Sequence, residues 1–282
     1  MRNIKKNKTV ANSNIFNIKN IRYLFVLCVL ACVFNVYSQS TYRYVKNEAF
    51  GFGEKLEYKV GIIGGVLSGL GGSGGLSIAP KPVIREGREC YDVRFWVDSE
   101  GVVDLTYPVH DKYRSVIDVA GIFPYEFYQQ IREGKFKRDF KASFDQTNNF
   151  AYANNKKYKI DEYMHDLISA FYYVRTLDIS LMKDGSIFYL KNFYKDTTFN
   201  LPVQVIRREN IKVPAGKFRT IVIQPKIEDG SPFKFHSNIS IWLTDDERKI
   251  PVRVATSIVI GEAGAELTRY SGVRGKISAK IE

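Results

Sequence analysis

The stretch Glu89–Asp98, ECYDVRFWVD, decides the fold class of this chain. From Tyr91 onward, apolar side chains occupy every second position, and only Trp96 interrupts the polar set. A period of two is typical of a β-strand with one face packed inward and the other facing water. The same alternation recurs in 55–60, 201–205 and 252–260. The sequence therefore predicts a strand-rich protein.

Turn signals separate these runs at close intervals, which favours hairpins and an antiparallel sheet. They are Ser99–Gly101, Arg132–Gly134, Lys183–Gly185, Pro214–Gly216 and Asp229–Gly230. Because an open sheet leaves unpaired edges, we expect the sheet to curve. The predicted fold class is all-β, a curved antiparallel half-barrel or barrel. A soluble rather than transmembrane barrel is expected, since outward positions carry charged residues.

One segment, residues 161–177 (DEYMHDLISAFYYVRTL), has helical rather than strand spacing. Its apolar residues recur every three or four positions: Met164, Leu167, Ile168, Phe171 and Val174. Acidic residues stand at its start and Arg175 near its end, where each charge suits the helix dipole. The pattern predicts one amphipathic α-helix over about 161–177, packed on or into the sheet.

The first 38 residues have the parts of a secretory signal. A basic segment without acids precedes the apolar run Tyr23–Phe34, and a small-residue cleavage site follows at Val36–Ser38. The run is shorter than the ~20 residues that span a bilayer. A second interpretation makes Cys32 the acylated cysteine of a lipoprotein. The predicted location is periplasmic or secreted, with an outer-membrane lipoprotein as the alternative and membrane contact only if Cys32 is lipidated.

The predicted domain organisation has four parts: signal peptide 1–38, N-terminal extension 39–49, a single β-rich domain 50–276 and C-terminal tail 277–282. The chain has 42 basic and 30 acidic residues. Removing the six basic residues of the signal leaves 36, so the net charge falls from +12 to +6. A net charge of +6 is ordinary for the surface of a chain of this length and favours solubility. The basic run 135–138 is flanked by acids, so no nucleic-acid partner is predicted.

No catalytic constellation, metal site or cofactor site is predicted. The glycine-rich run 68–75 fits two glycine motifs, but prolines rather than a helix follow it, so a flexible hairpin tip or gate is expected. His110, His165 and His236 are scattered, without partners at metal-ligand spacing. Cys90 lies in a strand pattern and is interpreted as a packed side chain.

Several short sequence motifs occur in a recognisable order: Gly53–Tyr58, Phe144–Asp145, Asp166–Arg175, Val213–Phe218 and Ile241–Val252. In this order the chain resembles the DUF3108 family over about residues 50–275. The resemblance implies an exported protein of a Gram-negative cell, from the Bacteroidetes, with no established activity and no catalytic residues. The hairpin of Trp242 also resembles periplasmic lipoprotein carriers of the LolA and LolB type, which implies a curved sheet with an apolar cavity.

The leading hypothesis is an exported, non-enzymatic envelope protein. Its concave sheet face would bind a lipid or another amphipathic ligand, or an envelope protein partner. The candidate lining residues come from the helix and the sheet: Phe95, Trp96, Met164, Ile168, Phe171, Tyr172 and Trp242. One alternative is an envelope-polymer hydrolase that uses Asp/Glu pairs from Asp104, Asp145, Asp166 and Asp245. A second alternative is a structural adaptor.

Overall fold

The computed structural model describes residues 42–63, 71–226, 239–258 and 261–281. The predicted signal peptide 1–38, with Cys32, lies outside the described residues, as do the turn Asp229–Gly230 and His236. Residues 43–282 form one compact unit.

A single antiparallel sheet of fifteen strands makes up most of this unit. The strands are β1 (Lys55–Ile63), β2 (Gly71–Ile78), β3 (Val83–Arg85), β4 (Arg88–Ser99), β5 (His110–Asp118), β6 (Pro124–Glu133), β7 (Phe136–Asp145), β8 (Phe150–Ala153), β9 (Lys156–Lys159), β10 (Ile187–Tyr194), β11 (Thr197–Val213), β12 (Gly216–Pro225), β13 (Ile239–Thr244), β14 (Pro251–Ile258) and β15 (Gly261–Ser271). Their order is β10 to β15, then β1, β2 and β4 to β9, with β3 pairing only with β4. Paired strands are consecutive in the chain except where β15 pairs with β1 and β2 pairs with β4.

Within the described residues there are two α-helices, α1 (Gly101–Thr106) and α2 (Leu167–Thr176), and a 3₁₀ turn at Ile179–Leu181. The predicted all-β class with one amphipathic helix is therefore confirmed in its main features. The short helix α1, between β4 and β5, was not predicted, because six residues are too few to show a helical period.

The sheet curves until its two edge strands, β9 and β10, come close without forming a ladder. The ring of Phe193 on β10 lies 5.4 Å from the ring of Tyr158 on β9 and 6.0 Å from that of Phe144 on β7. The backbone of His165 covers part of the β10 edge: its N–H donates to Lys191 O at 2.9 Å, and its carbonyl accepts from the N–H of Phe193 at 2.8 Å. The edges are thus protected although the sheet is open.

The predicted start of the helix was wrong by six residues. Residues 161–166 form an irregular approach, in which Tyr163 has a positive φ of 55° and His165 pairs with β10. The helix begins where the Asp166 carboxylate accepts the N–H groups of Ile168 and Ser169 at 2.7 and 2.9 Å. The acids at 161 and 162 therefore lie before the helix and do not act on its dipole.

The expectation of a hairpin tip in the glycine run was also wrong for residues 71–75, which form the interior of β2; residues 68–70 lie outside the described part. A Cβ on Gly72 would lie 1.9 Å from the carbonyl oxygen of Asp98, so only glycine allows this approach of β2 and β4. A Cβ on Gly75 would meet the ring of Trp96 at 2.3 Å. The glycines serve sheet packing.

The two flanking segments take part in the folded unit. Ala49, assigned by the sequence to an extension, is buried beside the fully buried Phe50. In the predicted tail, Ala279 is fully buried, and Lys280 forms a bridge with Phe218 of β12. Both segments thus contribute buried side chains to the folded unit.

Candidate functional site

An apolar pocket of about 410 Å³ lies between α2 and the inner face of the sheet. Six strands, β1, β2, β4, β13, β14 and β15, supply one side of it, and three residues of α2 supply the other. The lining residues are Tyr58, Val60, Gly74, Gly75, Leu76, Phe95, Val97, Leu167, Ile168, Phe171, Ile241, Pro251, Val254, Gly264 and Ala265. None of these described residues carries a charge.

The wall of the pocket follows from strand register. Val60 of β1 stands opposite Ala265 of β15, Ala265 opposite Val254 of β14, and Val254 opposite Ile241 of β13. Residues paired in this way share one face of a sheet, so the four side chains form a continuous apolar row. The row crosses four strands and faces the helix.

Small residues create the space beneath the helix. Gly74 stands opposite Tyr58 on β1 and Val97 on β4. A Cβ at Gly264 would lie 2.0 Å from the carbonyl oxygen of Val254, so this position admits only glycine. The close approach of β14 and β15 at Gly264 and the absence of a side chain at Gly74 shape the sheet side of the pocket.

The only side-chain hydroxyl of the lining is already bonded. Tyr58 donates a hydrogen bond to the carbonyl oxygen of Pro251 at 2.8 Å. Burial raises the pKa of the Tyr58 phenol well above its usual range, and the neutral phenol is the form that donates this bond. The pocket therefore offers an apolar surface without a charged or free polar group to orient a head group.

The structure brings three of the predicted lining residues together. Phe95, Ile168 and Phe171 all line the pocket. Phe95 and Phe171 remain half-buried, which leaves their rings accessible from the pocket. Tyr172 and Met164 are buried in the adjoining core, and the Tyr172 ring packs on Phe50 at 4.7 Å.

The two predicted tryptophans lie elsewhere. Trp96 stands opposite Gly75 and covers it on the face that also carries Arg94. Trp242 follows Ile241, so it points to the opposite face, where its indole N–H donates to Glu209 at 2.7 Å. The guanidinium of Arg253 lies 5.1 Å from the Trp242 ring. Both indoles are outside the pocket.

A buried capping box fixes the start of the helix that forms the roof. The Ser115 hydroxyl donates to Asp166 at 2.7 Å, while the N–H of Asp166 donates to the Ser169 hydroxyl at 3.0 Å. Burial raises the pKa of Asp166 to about 6, against the hydrogen bonds that favour the carboxylate. Leu167 and Ile168, which line the pocket, follow directly.

A buried ion pair fixes the other end of the helix. Arg175 donates to the two carboxylate oxygens of Glu54 at 2.7 and 2.8 Å, and both side chains are fully buried. Arg175 also reaches the carbonyl oxygens of Ala49 and Arg248. Burial opposes the charge of Arg175, but the Glu54 carboxylate outweighs it and raises the pKa of the guanidinium.

Arg43 of the N-terminal segment packs against residues at the start of α2 and on α2 itself. The guanidinium of Arg43 lies between the rings of Tyr163 and Tyr173, 4.5 and 4.7 Å from their centroids. It also approaches Nε2 of the buried His165 at 3.2 Å. Burial lowers the pKa of His165 well below its usual range, and the charge of Arg43 acts in the same direction. His165 is thus a neutral structural group.

The carboxylates considered for hydrolysis each have their own local partners. Asp104 accepts from Ser99, Asp145 from Asn148, and Asp166 from the capping groups of α2. Asp245 lies 4.0 Å from Arg208. Across the described ranges, no group of three or more His, Cys, Asp or Glu side chains is arranged to hold a metal ion.

Sequence reasoning missed the sheet residues of the pocket other than Phe95. Alternation in β1 already placed Tyr58 and Val60 on one face and could have nominated them. No comparable signal marks Gly264 or Ala265, because their role depends on strands that are distant in sequence.

The fold and the pocket together define a β-barrel-like protein whose helix roofs an apolar cavity. A family model described as "Protein of unknown function (DUF3108)" matches residues 70–268, and the chain belongs to this family. The predicted family resemblance is therefore confirmed. A comparison with curated proteins gave no match.

Among solved structures, the chain is similar to a β-barrel-like protein of the domain of unknown function DUF1849 from Brucella abortus. The TM-score is 0.50 and the sequence identity 10%, with 79% of this chain and 99% of that chain covered. A DUF1089 family protein from Pseudomonas aeruginosa matches with a TM-score of 0.32 and 11% identity, over 64% and 87% of the two chains. The first likeness supports the barrel-like fold. In the described part of the chain, neither helix has the length and hydropathy to cross a membrane.

Proposed function

We propose that this protein is an exported, non-enzymatic carrier that binds an acyl chain or a similar apolar segment in the pocket beneath α2. One observation carries the proposal: the pocket is lined by apolar residues of six strands and of α2, and several of them, such as Phe95 and Phe171, are only half-buried. A volume of about 410 Å³ lies within the ~300–1,000 Å³ of ligand sites. An uncommitted apolar space of this size favours binding over catalysis.

The chemistry of the lining selects the class of ligand. Because none of the described lining residues is charged and the Tyr58 hydroxyl is engaged with Pro251, a buried head group would lose its hydrogen bonds to water without replacement. An unbranched hydrocarbon chain loses none. Each buried methylene contributes about 0.8 kcal/mol. We therefore infer that an amphipathic ligand places its chain in the pocket and leaves its polar end in solvent.

Export rests on residues 1–38, whose basic, apolar and small-residue parts match a secretory signal. Cleavage after Ser38 gives a periplasmic or secreted protein, whereas acylation of Cys32 gives a lipoprotein tethered to a membrane. The intact mass of the protein purified from its native cell separates the two. A mass for residues 39–282 supports the first form, a diacylated or triacylated mass beginning at Cys32 supports the second, and an uncleaved chain contradicts both.

A pocket-filling variant tests ligand binding. Ala265→Phe places a ring in the middle of the apolar row, while Thr268→Phe adds the same ring at an exposed position of the same strand. The assay is displacement of a fluorescent fatty acid by palmitate. We expect Ala265→Phe to weaken binding at least tenfold and Thr268→Phe to leave it unchanged. Equal binding by wild type and Ala265→Phe, with both folded by circular dichroism, would refute the pocket as the site.

A further inference from the structure

The outer face of strands β4 to β9 carries two adjoining cavities, of about 570 and 740 Å³. Both are lined by Tyr128 and Lys141, so they form one continuous surface, here called the outer groove. Its outward-facing residues are Arg94, Trp96, Lys112, Arg114, Tyr128 and Lys141 on one side and Ser143, Tyr152, Asn154 and Lys157 on the other. The groove lies on the face of the sheet opposite the acyl pocket.

Strand register places these side chains in rows. Arg94 stands opposite Arg114, Arg114 opposite Tyr128, and Tyr128 opposite Lys141. Further along, Tyr152 stands opposite Lys157. Four strand spacings separate Trp96 on β4 from Tyr152 on β8, which is about 19 Å at ~4.8 Å per strand. The groove is thus long enough for an extended oligomer rather than a single small molecule.

The arginines of the groove are paired with carboxylates of the protein, but the lysines are not. Arg114 bonds to Asp92 at 2.8 Å, and Arg94 bonds to the same carboxylate at 3.2 Å. Asp139 is paired with Arg132, which lies outside the groove lining. Four lysines of the lining have no salt-bridge partner among the described residues: Lys112, Lys141, Lys156 and Lys157. These positive charges remain available for an anionic ligand.

Aromatic rings stand between the lysines. The Trp96 indole covers Gly75, where a Cβ would lie 2.3 Å from two ring atoms. Lys141 Nζ lies 5.5 Å from the Tyr128 ring centroid, and Lys157 Nζ lies 3.7 Å from that of Phe150. Tyr152 is 41% exposed. Ring faces of this kind carry partial negative charge and pack against the weakly positive C–H groups of a sugar ring.

We propose that the outer groove binds an acidic oligosaccharide, with sugar rings on Trp96, Tyr128 and Tyr152 and acidic groups on the lysines. The uncharged groups Ser143, Asn154 and Gln130 in the same lining suit hydroxyl groups. The lining also contains the carboxylates of Glu126 and Asp139, which are paired with Arg85 and Arg132 and leave the unpaired lysines as the charges that face a ligand. This mixture favours a sugar polymer. The outward side chains of the groove lie on the face of the sheet opposite the acyl pocket, and Phe95 is the one described residue that lines both.

The test is isothermal titration with hexagalacturonate, with maltohexaose as a neutral sugar of equal length and oligothymidylate as a nucleic acid. We expect binding of hexagalacturonate that weakens as salt is raised, and at least tenfold weaker binding of the other two. The double variant Lys112→Gln/Lys141→Gln should weaken hexagalacturonate binding at least tenfold. Tyr152→Ala, an exposed position, should weaken it at least threefold.

The matched control is Lys81→Gln/Lys183→Gln, which removes the same charge from exposed positions outside the groove. It should bind hexagalacturonate as wild type does. Three results would overturn the proposal: no binding of hexagalacturonate, equal losses in the groove and control variants, or tighter binding of oligothymidylate. Palmitate displacement should be unchanged in the groove variants, so a failure of this site is distinguishable from a failure of the acyl pocket.

Discussion

The buried pair of Glu54 and Arg175 offers the sharpest test of how the helix is held against the sheet. Replacing Glu54 by Leu leaves the Arg175 charge fully buried without its carboxylate. Breaking a buried pair in this way costs about 3–5 kcal/mol. Replacing Arg175 by Met is expected to cost a similar amount, because the Glu54 carboxylate then has no counter-charge.

The double variant Glu54→Leu/Arg175→Met removes both charges together. Its remaining cost comes from the carbonyls of Ala49 and Arg248, which lose donors at 3.3 and 3.2 Å. At about 1 kcal/mol for each of these long bonds, the double variant should cost about 2 kcal/mol. It should therefore be more stable than either single variant, with a coupling energy of at least about 4 kcal/mol.

Equilibrium unfolding in urea measures these free energies, with near-ultraviolet circular dichroism to show that tertiary packing is present. Arg94→Met removes an exposed arginine that also bonds to a carboxylate, and it should cost less than about 1 kcal/mol. Additive effects of the two single changes would refute the reasoning. A cost below about 1 kcal/mol for Glu54→Leu would do the same.

Three further outcomes are expected. The pKa of Asp166 is raised from 3.8 to about 6, so the folded protein favours the protonated carboxyl. As pH rises from about 4 to above 6, the free energy of unfolding of wild type should therefore fall by about 3 kcal/mol relative to that of Asp166→Asn, measured by chemical denaturation. A parallel pH dependence of the two proteins would contradict the assignment. Tyr58→Phe leaves the Pro251 carbonyl without its donor and should cost about 1–2 kcal/mol in unfolding, with palmitate binding unchanged. Burial raises the pKa of Cys90 to about 12. In a protein without residues 1–38, Cys90 should therefore react with a thiol reagent at pH 8 only after unfolding. Fast reaction of the native protein would contradict its burial.

Much of the fold could be predicted because local spacing records which face of an element is buried. Alternation in 55–60 and 89–98 marked β1 and β4, and the predicted turn Pro214–Gly216 joins β11 to β12. The start of α2 could not be read in the same way. Asp161 and Glu162 look like a helix start, but the backbone of His165 is held by β10, which follows the helix in the chain.

The candidate site was only partly predictable. Ile168 and Phe171 lie on the helical stripe that the sequence displays, and both line the pocket. Trp96 and Trp242 are aromatic residues that the sequence analysis expects in the lining, yet strand alternation sends each to the face opposite Phe95 and Ile241. Aromatic character is a poor guide here, because an indole can cover a glycine or bond to a carboxylate on the outer face.

The sequence by itself determined that the chain is built from hairpins with one amphipathic helix and that it resembles the DUF3108 family. The spacing of apolar residues along short segments indicates the hairpins and the helix, and the order of short sequence motifs indicates the family resemblance. Only the tertiary structure decided that a pocket exists. Its wall joins β1 to β14 and β15, and Tyr58 bonds to Pro251 across 193 positions of sequence. No local period encodes such a pairing, because it depends on the curvature of the whole sheet and on where glycines let strands approach.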